Sequence, residues 1–251
     1  MGHGSRMRRL TAIGLIVGSL ALSGCAATTT MISKRDLDVQ TRMSATVFLD
    51  PVSPDKRVVF VQIRNTSDKP DFDLGSAIRG AVASKGYRLT ENPDEAHYLL
   101  QANVLQVGKT DPSAADLALA GGYGGALEGA LIGAGVSGSL GGGARTNLGV
   151  GLLGAALGTV ANAMVKDVTF TIITDLQISE RAKAGVEVTE TNSQVLAQGT
   201  SGGKSVQSVE TTDWKRYQTR IVSTANKANL KFEEAAPELV QGIVRSVSGI
   251  L

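Results

Sequence analysis

The pattern of apolar and polar positions changes several times along the chain. From Met7 it reads MRRLTAIGLIVGSLALSGC: Arg8 and Arg9, an apolar stretch from Leu10 to Ala21, then Leu22, Ser23 and Gly24 as a small-residue exit before Cys25. That stretch has the length of a signal-peptide core and falls short of the roughly 20 residues a spanning helix needs. Residues 1–24 therefore read as a signal peptide, with Met1 to Arg6 an upstream start or a cloning remnant. Residues 25–44 begin with a small, polar tether from Ala26 to Ser33. Lys34 to Met43 mixes charge with Leu37, Val39 and Met43, and fits the start of a helix or an extended arm equally.

A first α+β part is expected over 45–116. Alternation and β-branching predict a strand at Ala45 to Leu49, ended by Asp50 and Pro51. Arg57 to Arg64 reads as a buried strand, closed by Asn65 to Asp68. Leu74, Ile78, Ala81 and Val82 recur at helical spacing before Gly86, a helix stop. A further strand runs from Tyr98 to Val107 and completes a β-α-β stretch. After Lys166 the alternation returns and a second part is expected over 166–251. Val168 to Ile178 is a long strand, with Ala184 to Thr189, Val195 to Gly199 and Tyr217 to Val222 as partners and Gly199 to Gly203 as a turn. The end is one amphipathic helix with Pro237 near its start. Leu239, Ile243, Val247 and Leu251 lie on one face, with Val240 and Val244 beside them.

The segment 117–165 differs in kind. Glu128 and Arg145 are its only charges, and 15 of the chain's 30 glycines fall between Gly121 and Gly158. Two apolar runs, 117–137 and 147–165, flank a Gly/Ser-rich break at 138–146. At 1.5 Å per residue each run is about long enough, as a helix, for the ~30 Å hydrocarbon core of a bilayer. The expectation is a membrane-associated helical hairpin. Gly121, Gly125, Gly129 and Gly133 fall at intervals of four, and Gly154 and Gly158 repeat the spacing in the second run. In a helix these rows leave bare backbone along one groove. Gly lowers helix propensity by nearly 1 kcal/mol against Ala, so close helix packing at small-residue faces has to compensate. A carboxylate in mid-run is costly against lipid. Glu128 is therefore expected to face a lumen or a partner, which implies a ring of copies. Ser139, Arg145 and Thr146 in the polar break, with Asn147 at the start of the second run, are expected in an exposed specificity loop.

Composition narrows the function. Loss of Arg6, Arg8 and Arg9 with the leader leaves 22 basic against 23 acidic residues. A broad nucleic-acid footprint needs a cationic excess, so nucleic acid is not an expected partner. Two histidines and one cysteine supply neither a Cys/His metal cluster nor a Cys-His pair in a familiar setting. His97, beside Asp94 and Glu95, reads as a surface histidine. Glu233 and Glu234 read as charges suited to a helix N-terminus. Gly202-Gly203-Lys204-Ser205 lacks the spacing of a phosphate loop. Trp214 to Tyr217 reads as a basic-aromatic strand edge. No catalytic residue, metal or cofactor is expected, and the chain does not read as an enzyme.

Leu22-Ser23-Gly24-Cys25 resembles the lipobox of bacterial lipoproteins, in which the thiol takes a diacylglycerol and the new amino terminus a further acyl chain. Each buried methylene contributes about 0.8 kcal/mol, so two or three chains anchor where one binds only reversibly. Ala26 after the cysteine resembles the outer-membrane class. With this lipobox, Lys34-Arg-Asp-Leu-Asp-Val-Gln-Thr-Arg-Met-Ser44, the glycine-rich segment, Ala161-Asn-Ala-Met-Val-Lys-Asp-Val168, Ile173-Thr-Asp-Leu-Gln-Ile-Ser-Glu-Arg181, Tyr217-Gln-Thr-Arg220 and Asn229-Leu-Lys-Phe-Glu-Glu-Ala235 resemble the TraT family, in the same order along the mature chain. The resemblance implies a surface-exposed outer-membrane lipoprotein of conjugative plasmids, assembled as a large homo-oligomer. It also implies surface exclusion, the blocking of stable mating contact with donors of related plasmids, and complement resistance. A donor pilus tip or a recipient outer-membrane protein is the expected contact. An oligomeric export channel and a passive envelope scaffold are the alternatives. The expected fold is α+β: a mixed sheet, a glycine-rich apolar helical hairpin and a C-terminal amphipathic helix, in a homo-oligomeric ring.

Overall fold

The computed structural model describes residues 33–125, 127, 166–183, 185–198 and 202–251. Its centre is one mixed six-stranded sheet in the order β1-β8-β5-β4-β2-β3. The strands are β1 (Asp38–Met43), β2 (Val58–Asn65), β3 (Arg88–Thr90), β4 (Tyr98–Lys109), β5 (Asp167–Arg181) and β8 (Trp214–Ala228). β2 runs parallel to β3 and β4; the other contacts are antiparallel. β5 and β8 pair over their full lengths, from Asp167 opposite Ala228 to Arg181 opposite Trp214. β6 (Val188–Gln198) and β7 (Gly202–Thr212) pair only with each other, in a second ladder.

Helix α1 (Gly75–Ser84) follows β2 and returns the chain first to β3, a short strand that was not expected, and then to β4, which runs parallel to β2 and completes the expected β-α-β stretch. Asp73 starts it by accepting from the backbone N–H of Gly75 at 2.8 Å and of Ser76 at 3.2 Å, which satisfies donors left free in the first turn. Gly86, in the left-handed region at φ 84°, closes it. The C-terminal helix α3 (Phe232–Ile250) buries Leu239, Ile243 and Val247 of the expected stripe together with Ala235, while Leu251 follows the helix half-buried; Glu233 and Glu234 lie in its first turn. Val59, Val61, Leu100, Ile172, Leu176 and Ile221 meet these helices in the main core. α3 approaches β1 and β8 closely at Gly242, where a Cβ would stand 2.1 Å from Thr41 Oγ1.

The other face of the sheet is covered at one end by α2 (Pro112–Gly121), whose Ala114, Ala115 and Ala118 pack on Ile173 and Val222. Beyond the helix that face is polar. Gln218 donates to Gln177 at 2.8 Å, Gln177 to Gln101 at 3.2 Å and Gln101 to Gln62 at 2.8 Å, an amide ladder across four registered strands.

Several expectations change. Lys34 to Met43 resolves mainly to extended structure, because β1 completes the sheet beside β8. Ala45 to Leu49 forms no strand. There the Thr219 hydroxyl donates to the Ala45 carbonyl at 2.9 Å and lies 3.1 Å from the Ala45 N–H, so a side chain takes the place of a partner backbone. The two strands expected within 184–199 contain one, β6, and polar β7 was not expected. The helix expected to begin at Leu117 begins at Pro112 and ends at Gly121. Among the described residues no helix is long and apolar enough to cross a membrane.

Candidate functional site

Apart from the lipobox, the residues singled out in the sequence belong to the glycine-rich segment, so its two attachment points define the site. At the exit, Asp111 caps α2 by accepting from Ser113 N–H at 2.9 Å, with Pro112 in the first turn, where a missing N–H costs nothing. The three alanines bring the helix close onto the sheet. Gly122 at φ 63° and Gly124 at φ 67° then turn the chain out of helical geometry, a backbone that side chains with a Cβ resist.

Beneath this turn lies Arg220 of β8, fully buried at 0% exposure. Its Nε donates to Asp175 Oδ1 at 2.7 Å and its Nη2 to Asp175 Oδ2 at 3.0 Å, a two-point fork from β8 to β5. Nη1 donates to the Ala118 carbonyl at 3.2 Å and Nη2 to the Gly125 carbonyl at 2.9 Å. Asp175 Oδ2 also accepts from Gly124 N–H at 2.9 Å. A helix leaves its last carbonyls without partners and its C-terminus partly negative, and a guanidinium answers both. Leu127 packs back against the alanine cluster of α2.

At the return, Asn229 takes the left-handed conformation at φ 55°. Its Oδ1 accepts from Lys166 N–H at 3.0 Å, and its own N–H donates to the Lys166 carbonyl at 2.7 Å. The N-terminal tether arrives at the same end of the sheet, where Ala228 N–H donates to the Lys34 carbonyl at 2.8 Å. Exit and return are separated by the stretch of β5 from Asp175 to Asp167, about 26 Å at ~3.3 Å per residue.

Gly121 and Gly125 do not lie on one continuous helix. Gly121 is the last residue of α2, and Gly125 follows the turn, where a Cβ would stand 2.3 Å from the Gly121 carbonyl oxygen. Gly129, Gly133, Gly154, Gly158 and Glu128 lie outside the described residues, as do Ser139, Arg145, Thr146 and Asn147. Leu22, Ser23, Gly24 and Cys25 also lie outside them. The Arg220–Asp175 pair was missed in the sequence. Its signal was present: one charge of each sign in mid-strand, within two of the motifs quoted above.

The opposite end of the sheet holds a cavity of about 710 Å³, lined by Asp50, His97, Glu180, Lys183 and Lys215 among others. Its charges are largely answered. Asp50 lies 3.2 Å from Lys215 and 3.6 Å from Lys183; the hydrogen bond from Lys215 holds its carboxyl below the usual range. Buried Glu180 accepts from the Tyr217 hydroxyl at 3.3 Å. His97 is half-buried rather than on the surface, with its ring edge-on to Tyr98 at 4.7 Å. Burial lowers its pKa, and Glu180 opposes that shift. No Ser or Cys joins His97 in a nucleophile-and-base arrangement among the described residues. Trp214 to Tyr217 opens β8, with Arg181 stacked 4.4 Å over Trp214.

A family model described as "Enterobacterial TraT complement resistance protein" matches residues 36–251. A TraT complement resistance protein of Escherichia coli is 48% identical over 246 residues, covering 98% of this chain and 100% of the relative. A relative with the same description from Wigglesworthia glossinidia brevipalpis is 31% identical over 235 residues, covering 92% of this chain and 91% of the relative. Among solved structures, a PelC dodecamer from Paraburkholderia phytofirmans aligns with 83% of this chain and 97% of that chain at 11% identity. Its TM-score of 0.30 is too low to bear on fold or assembly.

Proposed function

Because this chain belongs to the TraT family of complement resistance proteins, we propose that it is an outer-membrane lipoprotein that makes its host a poor recipient for related conjugative plasmids and protects it from complement. Cys25 carries the acyl chains, and the chain from Cys25 to Lys34 allows the sheet to sit at most about 32 Å from the anchor. The observation that supports this orientation is the meeting of two chain segments at one sheet end: the tether at Lys34 and the returning glycine-rich segment at Lys166, both bonded to the Ala228–Asn229 corner. That end faces lipid; the cavity and the β6–β7 ribbon face away from it.

The protein acts as a ring of copies. In the described chain the outer edge of β1 is unpaired and Phe48 is 81% exposed, and neighbouring copies would cover both. The polar break at 138–146 makes the contact with a donor pilus tip or a recipient outer-membrane protein. The test is a mating assay in which recipients express the protein alone, with donors of related and unrelated plasmids. Transfer from related donors should fall, and Cys25→Ala should restore it. Undiminished transfer despite surface expression contradicts exclusion. A drop that survives Cys25→Ala contradicts the lipid anchor.

A further inference from the structure

We propose that Arg220, on β8, and Asn229, just after it, are two clamps that fix the points where the glycine-rich segment leaves the described fold at Gly125 and rejoins it at Lys166. A linker needs no fixed point of departure. Here the departure is held from three sides: Arg220 grips the Ala118 and Gly125 carbonyls, Asp175 grips Gly124 N–H, and Leu127 packs against α2. The grip sits in the interior, where Arg220 is fully buried and Asp175 is 11% exposed at its side chain. Taking a charge pair out of water is costly unless nearly all its donors and acceptors are met. The segment's own backbone meets several of them, so the exit turn and the ion pair stabilise each other.

The return is held differently. Asn229 adopts φ 55° and closes a two-bond ring with the Lys166 backbone. The clamps lie nine positions apart on and just after one continuous strand, about 30 Å at ~3.3 Å per residue. One rigid strand therefore fixes the spacing of the two ends. Asp175 and Arg220 are positioning residues, and a Cβ at Gly125 would collide with the Gly121 carbonyl.

The clamps themselves can be tested without any assumption about mating, by hydrogen exchange on the full-length protein in detergent. Asp175→Asn should speed exchange at Gly124 and Gly125 at least tenfold. Gly125→Ala should do the same with the ion pair chemically intact, so the result does not depend on how well the first variant folds. Asn229→Gly, which keeps the left-handed backbone and loses only the side-chain acceptor, should speed exchange at Lys166 and leave residues 118–125 unchanged. Fast exchange at Gly124 and Gly125 in the wild type, or no change in Gly125→Ala, overturns the exit clamp. That these fixed attachment points serve exclusion rests on the exclusion reading. Six Gly/Ser residues inserted after Gly125 leave both clamps in place and should abolish exclusion in a wild-type background that shows it. An insertion variant that excludes as well as wild type overturns that role.

Discussion

Single side chains decide where this fold tolerates change. At Gly242 the helix α3 lies so close to β1 that an added methyl group would collide with Thr41. Gly242→Ala should destabilise the protein by about 1–3 kcal/mol in urea unfolding, the usual cost of overpacking. Adding Thr41→Ala should recover part of that loss by removing the colliding hydroxyl; additive losses would contradict the close approach. Tyr98 supplies a pH-dependent term. Burial first, and then the charge of Glu180, push its pKa up to about 12. Unfolding releases the phenol to ionise near pH 10, so its contribution is whole below pH 10 and is lost as pH rises from 10 to 12. The melting temperature of Tyr98→Phe should fall less steeply across that window than that of the wild type. Equal slopes would contradict the shift.

Elements were legible in the sequence where a buried face left a period. β2, β4 and β5, part of β8, and α1 and α3 each present one apolar side to the main core, and alternation or helical spacing located them. Leu239 shows the weight of that stripe. It is fully buried, and Leu239→Ala should cost about 2–5 kcal/mol in chemical denaturation. Short or polar elements left a weaker signal. β7 has a largely polar sequence and pairs with one neighbour, and β1 is a short edge strand that sets only Val39 and Met43 against the core. Ala45 to Leu49 has the alternation of a strand but loses its ladder to the Thr219 hydroxyl. The end of α2 was hidden for another reason. Apolar composition continues past Gly121, and the stop is a backbone event at Gly122 and Gly124. The clamp residues were likewise present as charges in mid-strand, but nothing in one strand's spacing reveals which residue stands opposite it in the next.

On the scale of the whole molecule, the sheet has two unlike ends. One gathers Lys34, Lys166 and Asn229, where the N-terminal tether arrives and the glycine-rich segment returns to the fold. The other carries the cavity around Asp50 and Glu180 and leads into the β6–β7 ribbon. A lipid anchor at Cys25 would give those ends opposite surroundings, lipid and water, and that orientation is the centre of the account. Lys231 lies beside the first end and Lys183 at the second, and both are exposed. The most direct measurement places a fluorophore on Lys231→Cys or on Lys183→Cys, with Cys25 lipidated, in vesicles that carry a headgroup quencher. Strong quenching is expected at 231 and little at 183. Equal quenching at the two positions, or the reverse order, would contradict it.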